Sequence, residues 1–344
     1  LPTDASGVAA QWIARTLFFA AFQAVDELCA EDYIPEYDVY IASSDSEEVF
    51  GEGAPRLKDY LKENGVKPYI VLDEGGAILA QAFPGMIKPY AMVGVLEKGY
   101  ADFKFTAKSK GGHSSSPPKN SPIARLSAFV NEVENSKFFK KKMAPEAKEM
   151  LSKMAGGLTG PLKTVLGNIG LFKPLIMGVL PKASPFGRAL LSTTCVFTMA
   201  GGSEAPNVIP QEAYVIANLR FAPHQGVDAC TAYFKKLCIK YDLEMETLEA
   251  HDALPPVSTK SEGYKHLTKT IEKCFPEVGI APYVIIGGTD CRYFQEICDC
   301  AMRFAPMLLE PDQLASMHSS NESLNVAELG KGIAFMKELI KTNI

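Results

Sequence analysis

Two runs of acidic residues each follow directly on a short strand-forming segment, with a helical segment between them. That order, more than any other feature, limits the folds open to this chain. Tyr37-Asp-Val-Tyr-Ile-Ala-Ser reads as a strand that runs into Ser44-Asp-Ser-Glu-Glu. Pro55 to Asn64 has a helical pattern, and Tyr69-Ile-Val-Leu is a short apolar strand ending at Asp73-Glu-Gly-Gly. An apolar helix, Thr16 to Cys29, precedes them, with Gln23, Asp26 and Glu27 marking it as amphipathic. Strands separated by helices predict an α/β sheet, whose ligands gather at the carboxyl ends of the strands.

The texture changes near Glu97. Tyr100-Ala-Asp-Phe-Lys-Phe-Thr-Ala-Lys alternates as a half-exposed antiparallel strand does, and a Gly-Gly-His turn and a helix from about Pro122 to Asn135 follow. Ala213 to Phe221 is another strand and Val227 to Tyr241 another amphipathic helix. The pattern predicts a small α+β domain over residues 97–255, inserted between the two parts of a first domain, 1–96 and 256–344. The return falls near Pro255-Pro256 and leads to a helix (Tyr264 to Cys274), a strand (Tyr283-Val-Ile-Ile) and a final helix from Val326 to Lys341. Residues 137–190 stand apart, with ten Lys or Arg against two Glu, a local charge of 10 − 2 = +8. Two readings stay open for this stretch: a helical insertion packed on the inserted domain, or a basic, apolar lip that meets a lipid-like anion or a membrane surface.

Composition excludes several classes. With 344 residues, 47% hydrophobic and 22% charged, the chain has the make-up of a soluble globular protein of one or two domains. A net charge of −5 lacks the basic footprint of a nucleic-acid partner. No stretch has the length and apolarity of a transmembrane helix, and there is no firm membrane signal. Eight scattered cysteines form no C-x-x-C pair, which favours reduced thiols and a cytoplasmic location.

The chemistry-bearing residues are modest one by one. Glu47 and Glu48 at a strand end can divide labour, one binding metal while the other orients and deprotonates a water. Asp73 adds a second carboxylate source, and His318, in Met317-His-Ser-Ser-Asn-Glu, adds an imidazole ahead of the last helix. Carboxylates with His are the ligands expected of zinc, with cobalt or manganese as substitutes. His113, in Gly111-Gly-His-Ser-Ser, can donate to a developing oxyanion. Asn207 and Arg220 supply an amide and a guanidinium suited to a carboxylate, and Gly288 and Thr289 can add backbone amides. Each residue alone is equally at home as ordinary turn or surface chemistry; their order discriminates.

That order is Asp-x-Glu-Glu, Asp-Glu-Gly, Gly-Gly-His-Ser-Ser, Asn-x-Ile-Pro with Asn-Leu-Arg, Gly-Gly-Thr-Asp, and Met-His-x-x-Asn-Glu. From about Thr16 to the C-terminus it resembles the dizinc exopeptidase family of aminoacylases, acetylornithine deacetylases, succinyl-diaminopimelate desuccinylases and Gly-X carboxypeptidases. The resemblance implies a zinc-exopeptidase-like catalytic α/β domain, with a mixed sheet between helices, interrupted by an α+β dimerisation (lid) domain. It implies Glu47 as general base, and Glu48, Asp73 and His318 as metal ligands. His113 would be the lid-domain histidine that stabilises the tetrahedral intermediate in the partner's site. Asn207, Arg220, Gly288 and Thr289 would hold the substrate's free carboxylate. The substrate would be an N-acyl amino acid or short peptide, and the assembly a homodimer through the lid domain.

The front of the chain departs from the family. The upstream His-x-Asp motif is absent from this sequence, and Ile13-Ala-Arg15 stands where the family has Asp-x-Lys, whose Asp bridges two metals. Asp4 is the nearby acid, nine residues too early. Two zinc ions, as in intact members, repel one another without that bridge. The resemblance therefore implies a truncated member holding one metal or none, with low or absent hydrolysis. Its alternative is a non-catalytic remnant that keeps fold, dimer and ligand binding.

Overall fold

Two apolar segments of strand length, Tyr90 to Leu96 and Ala301 to Leu309, are interrupted only by Arg303, and such segments must be covered on both faces. The computed structural model describes residues 11–44, 47, 51–83, 85–317 and 322–342, the side chains of 11–13 excepted. Among these, the chain forms α1 (Gln11–Ala30), α2 (Gly53–Glu63), β1 (Val71–Leu79), β2 (Tyr90–Glu97), β3 (Gly99–Lys108), β4 (Gly112–His113) and α3 (Pro122–Glu134). There follow α4 (Pro145–Met154), α5 (Gly160–Gly167), α6 (Ile169–Ala183), α7 (Pro185–Leu191), β5 (Thr194–Gly201), β6 (Val208–Ile209) and β7 (Glu212–Phe221). The last elements are α8 (Val227–Tyr241), β8 (Glu244–His251), α9 (Glu262–Cys274), β9 (Gly279–Ile285), α10 (Cys291–Phe294), β10 (Ala301–Leu309), α11 (Pro311–Ser316) and α12 (Ala327–Lys341). No single described helix is long and apolar enough to cross a membrane.

The chain divides into two compact units: residues 1–97, 145–172 and 255–344, and residues 98–144 and 173–254. In the first, the sheet order is β1-β10-β2-β9. β1 and β10 are parallel, as are β2 and β9, while β10 meets β2 antiparallel, so the sheet is mixed. Every residue of β2 is buried, and β10 is buried at all positions but one. Helix α4 packs on β9 within this unit, so residues 145–172 depart from the expectation that all of 137–190 lies on the inserted domain. The reason is visible in α4 itself: Ala147, Met150, Leu151 and Met154 repeat at helical spacing and are buried, and the Tyr90 hydroxyl donates to the Lys153 carbonyl at 3.0 Å.

The second unit holds the antiparallel sheet β5-β7-β3-β8. β3 alternates as its sequence predicts, with Ala101, Phe103, Phe105 and Ala107 fully buried. Phe129 of α3 and Phe234 of α8 pack on that face, with ring centroids 4.6 and 5.1 Å from Phe105.

Two sequence expectations change. Residues 37–44 have no regular structure, and Tyr37, Val39 and Tyr40 are exposed. β-forming side chains make no strand where no neighbouring strand offers a ladder. Asp73-Glu-Gly-Gly lies inside β1 rather than at its end. The register with β10 slips between Asp73 and Ala77, and Gly75 has φ +101°, so the glycines form a bulge. A Cβ on Gly76 would stand 2.2 Å from the Met92 carbonyl oxygen and 2.4 Å from that of Arg303, so only glycine lets the strands approach this closely.

Lys98, at the start of the second unit, is buried, and its ammonium donates to the carbonyls of Ala189 (3.0 Å) and Ser192 (2.9 Å). Burial, with help from the Arg220 charge, lowers its pKa from 10.5 to about 7. Between those values the unfolded chain binds the proton and the folded chain releases it, so stability rises with pH across that window and is lost as pH falls toward 7. Urea midpoints measured through this range are expected to rise for the wild type relative to Lys98→Met; parallel profiles for the two proteins would refute the assignment.

Candidate active site

In the first unit the site residues meet around the turn that joins β9 to α10. Asp73 is half-buried, and its carboxylate is gripped from two directions. The Glu74 N–H donates to Oδ1 at 2.8 Å and the Cys291 N–H, at the start of α10, to Oδ2 at 2.7 Å. Burial raises its pKa to about 6; those amides and the Arg303 charge pull the other way, and the Asp290 carboxylate adds to the rise. Asp290 is raised too, by burial, although it accepts a hydrogen bond from Ser44 Oγ at 3.0 Å. That bond ties the segment leading to Glu47 to the Gly-Gly-Thr-Asp turn.

Thr289 is 3% exposed. Its hydroxyl donates to Glu97 Oε2 at 3.0 Å and accepts from Arg303 Nε at 3.2 Å, while the Arg303 guanidinium also reaches Glu97 Oε2 at 3.0 Å. What Gly288 and Thr289 can still offer a substrate carboxylate is therefore backbone, the Thr289 side chain being committed inward. Glu97 and Arg303 carry no motif, but a lone Arg in the apolar run Ala301-Met-Arg-Phe-Ala is a legible signal of a buried partner.

Glu47 is half-buried. Glu48, His318 and Asp4 lie outside the described residues, as does the side chain of Ile13, whose backbone belongs to α1. Among the described residues, no group of three or more His, Cys, Asp or Glu gathers to hold a metal. The donor chemistry of those present nevertheless fits a divalent cation. After its two amide bonds Asp73 keeps one lone pair on each oxygen, and it lies near a second acid with a raised pKa, Asp290, while the Arg303 cation is already paired to Glu97.

In the second unit, Gly111 and Gly112 have φ of +69° and +140°, a path that other residues rarely follow. It brings β4 alongside β6, with His113 opposite Val208, and the Ser114 N–H donates to the Asn207 carbonyl at 3.0 Å. His113 and Asn207, 94 positions apart in sequence, thus become neighbours. His113 is exposed, and its Nδ1 accepts the Ser115 N–H at 3.2 Å and lies 2.8 Å from the Ser115 hydroxyl, an arrangement in which the neutral ring has Nε2 as its donor. Arg220 lies on β7 with its guanidinium 4.6 Å above the Tyr100 ring. Asp102 accepts from the Tyr100 hydroxyl at 2.5 Å and from Asn218 Nδ2 at 2.8 Å, so Asn218 braces the Arg220 platform.

Residues 95–246 match the peptidase dimerisation domain family. An N-fatty-acyl-amino acid synthase/hydrolase of Homo sapiens is 32% identical over 94% of this chain and 64% of its own length. A probable carboxypeptidase S-like protein of Dictyostelium discoideum is 31% identical over 94% of this chain and 62% of its own. The chain thus spans a little under two thirds of the length of these relatives. Among solved structures, an M20 family metallo-carboxypeptidase from Sulfolobus solfataricus superposes with a TM-score of 0.64 at 15% identity, covering 95% of this chain and 75% of that one. A Saccharomyces cerevisiae di-peptidase, Dug1p, gives 0.62 at 13% identity, covering 94% and 71%. These likenesses establish the fold.

Removing the Glu97 carboxylate leaves the Arg303 charge buried without its acid. Glu97→Ala is expected to cost about 3–5 kcal/mol in urea unfolding, against about 1–3 kcal/mol for Thr289→Val. Equal, sub-kcal losses for both would show that the network does not hold the turn.

Proposed function

The chain belongs to the M20 family of zinc exopeptidases, and on that premise we propose that it is a metal-dependent hydrolase of the amide bond in N-acyl amino acids or short peptides with a free carboxylate. The observation that carries this reading is Asp73: a half-buried carboxylate, fixed by two backbone amides, with outer lone pairs free beside a second half-buried acid, Asp290. Asp73, Glu48 and His318 would hold the metal. A bound zinc would supply Lewis acidity that polarises a carbonyl and lowers the pKa of water.

The rest is the work of side chains. Glu47 takes the proton of the attacking water and hands it to the departing amine. His113 presents Nε2–H to the oxyanion of the tetrahedral intermediate, a donor whose tautomer is set in advance by the Ser115 amide. Arg220, over the Tyr100 ring, and Asn207 hold the carboxylate of the leaving amino acid. Both relatives point to substrates of this kind, one named for N-fatty-acyl amino acids and the other for carboxypeptidase activity. The dimerisation domain supports a homodimer, and the free cysteines suit a cytoplasmic setting.

Two measurements on the purified, zinc-supplied 344-residue protein test this. Glu47→Gln is expected to lower kcat by about 10²–10⁴-fold with metal content unchanged. Arg220→Met should raise KM for N-acyl amino acids by roughly 10–100-fold and abolish their preference over the matching α-carboxamides. Absence of turnover by the wild type at saturating zinc across acetyl, long-chain acyl and dipeptide substrates would sink the catalytic reading, leaving a non-catalytic member of the family.

A further inference from the structure

Helix α6 is apolar on its outer side as well as its inner one. Ile169 and Ile176 are buried, yet Leu171, Leu175 and Val179, spaced four apart on one side, are 77%, 51% and 54% exposed. Exposed Pro174 lies among them. A helix with apolar residues all round is covered by something. Here the charges indicate by what. Lys163, Lys173 and Lys182 are all exposed, and the chain contains no Asp or Glu from Leu151 to Ser203, although it carries a net −5 overall. A second copy docked about a two-fold axis would set these cations against their own equivalents. An anionic surface would pair with them.

We propose that α6 forms an interfacial docking surface for an anionic lipid bilayer, with Leu171, Leu175 and Val179 entering the boundary between headgroups and acyl chains and the exposed lysines of this segment drawn to the anionic headgroups. The geometry fits a helix lying in the membrane plane. α6 has 15 residues, about 22 Å of helix, too short for a hydrocarbon core of about 30 Å, and α5 meets it at a bend of 113°. The proposal is independent of any catalytic activity, and its test needs none.

The test is co-sedimentation of the full chain with phosphatidylcholine vesicles, with and without about 30 mol% phosphatidylserine, at about 25 and 500 mM salt. Binding to the phosphatidylserine vesicles that weakens in high salt is expected. Lys163→Gln, Lys173→Gln and Lys182→Gln together should weaken it roughly a hundredfold, at about fivefold per cation. Leu171→Glu with Leu175→Glu should weaken it at least about tenfold, while Ile239→Glu, an exposed apolar position on α8, should leave it unchanged. Because these side chains are exposed, folding should survive, and far-ultraviolet circular dichroism checks it. As a second readout, Leu175→Trp, made with Trp12→Phe so that its indole is the only one, should shift to the blue on adding anionic vesicles. No binding to either vesicle, binding indifferent to the lysine and leucine changes, or an unshifted Trp emission would overturn the proposal. So would a Leu171→Glu/Leu175→Glu protein that loses self-association but keeps its vesicle binding, since that assigns the face to a second copy.

Discussion

The guanidinium of Arg303 is fully buried in the middle of an otherwise apolar strand, and a charge in that position must be answered at once. Glu97 answers it from the neighbouring strand, and the Thr289 hydroxyl sits between the two, donating to one and accepting from the other. The first unit depends on this arrangement in a specific way. It locks the end of β2 and the middle of β10 to the turn after β9, and the residue two places beyond Thr289, Cys291, gives its amide to Asp73. The Asp73 carboxylate is thus located by a chain of contacts that begins with an ion pair remote from solvent. Such a pair adds little net stability over apolar residues of equal size, but removing either half is costly, which makes it a device for position.

Glycines create the room this network needs. A Cβ on Gly94 would meet Arg303 Cβ at 2.9 Å and Ile285 Cδ1 at 2.5 Å, and one on Gly75 would meet Thr289 Cγ2 at 3.0 Å. The Asp-Glu-Gly-Gly motif therefore has two roles. Its acid faces the turn, and its glycines allow the bulge that turns the acid there.

The second unit solves a different problem, that of presenting polar groups outward from a hydrophobic base. The packed rings of Phe103, Phe105, Phe129 and Phe234 fill one face of its sheet. The other side carries Arg220 on its Tyr100 ring, and the glycine loop carries His113 beside Asn207. Arg220 and His113 have their orientation set by Tyr100 and Ser115, and Asp102 in turn holds Tyr100. Pre-set orientation lowers the cost of ordering the group when a ligand arrives.

The sequence by itself determined the order of the motifs, the residue types that carry chemistry, the change of texture at Glu97 and the alternating core of β3. All of these are local or periodic properties, written in residues a few positions apart. Tertiary structure decided the rest. Whether Tyr37–Ser43 becomes a strand depends on a partner strand, and residues 37–44 run without regular structure. Whether Asp73 ends its strand or bulges within it depends on the close passage of β2 and β10 past Gly76. The inward commitment of Thr289, the meeting of Glu97 with Arg303 and the placement of His113 beside Asn207 all join residues tens to hundreds of positions apart. No window along the chain contains such pairs, because burial and hydrogen-bond satisfaction are settled only when the whole core closes.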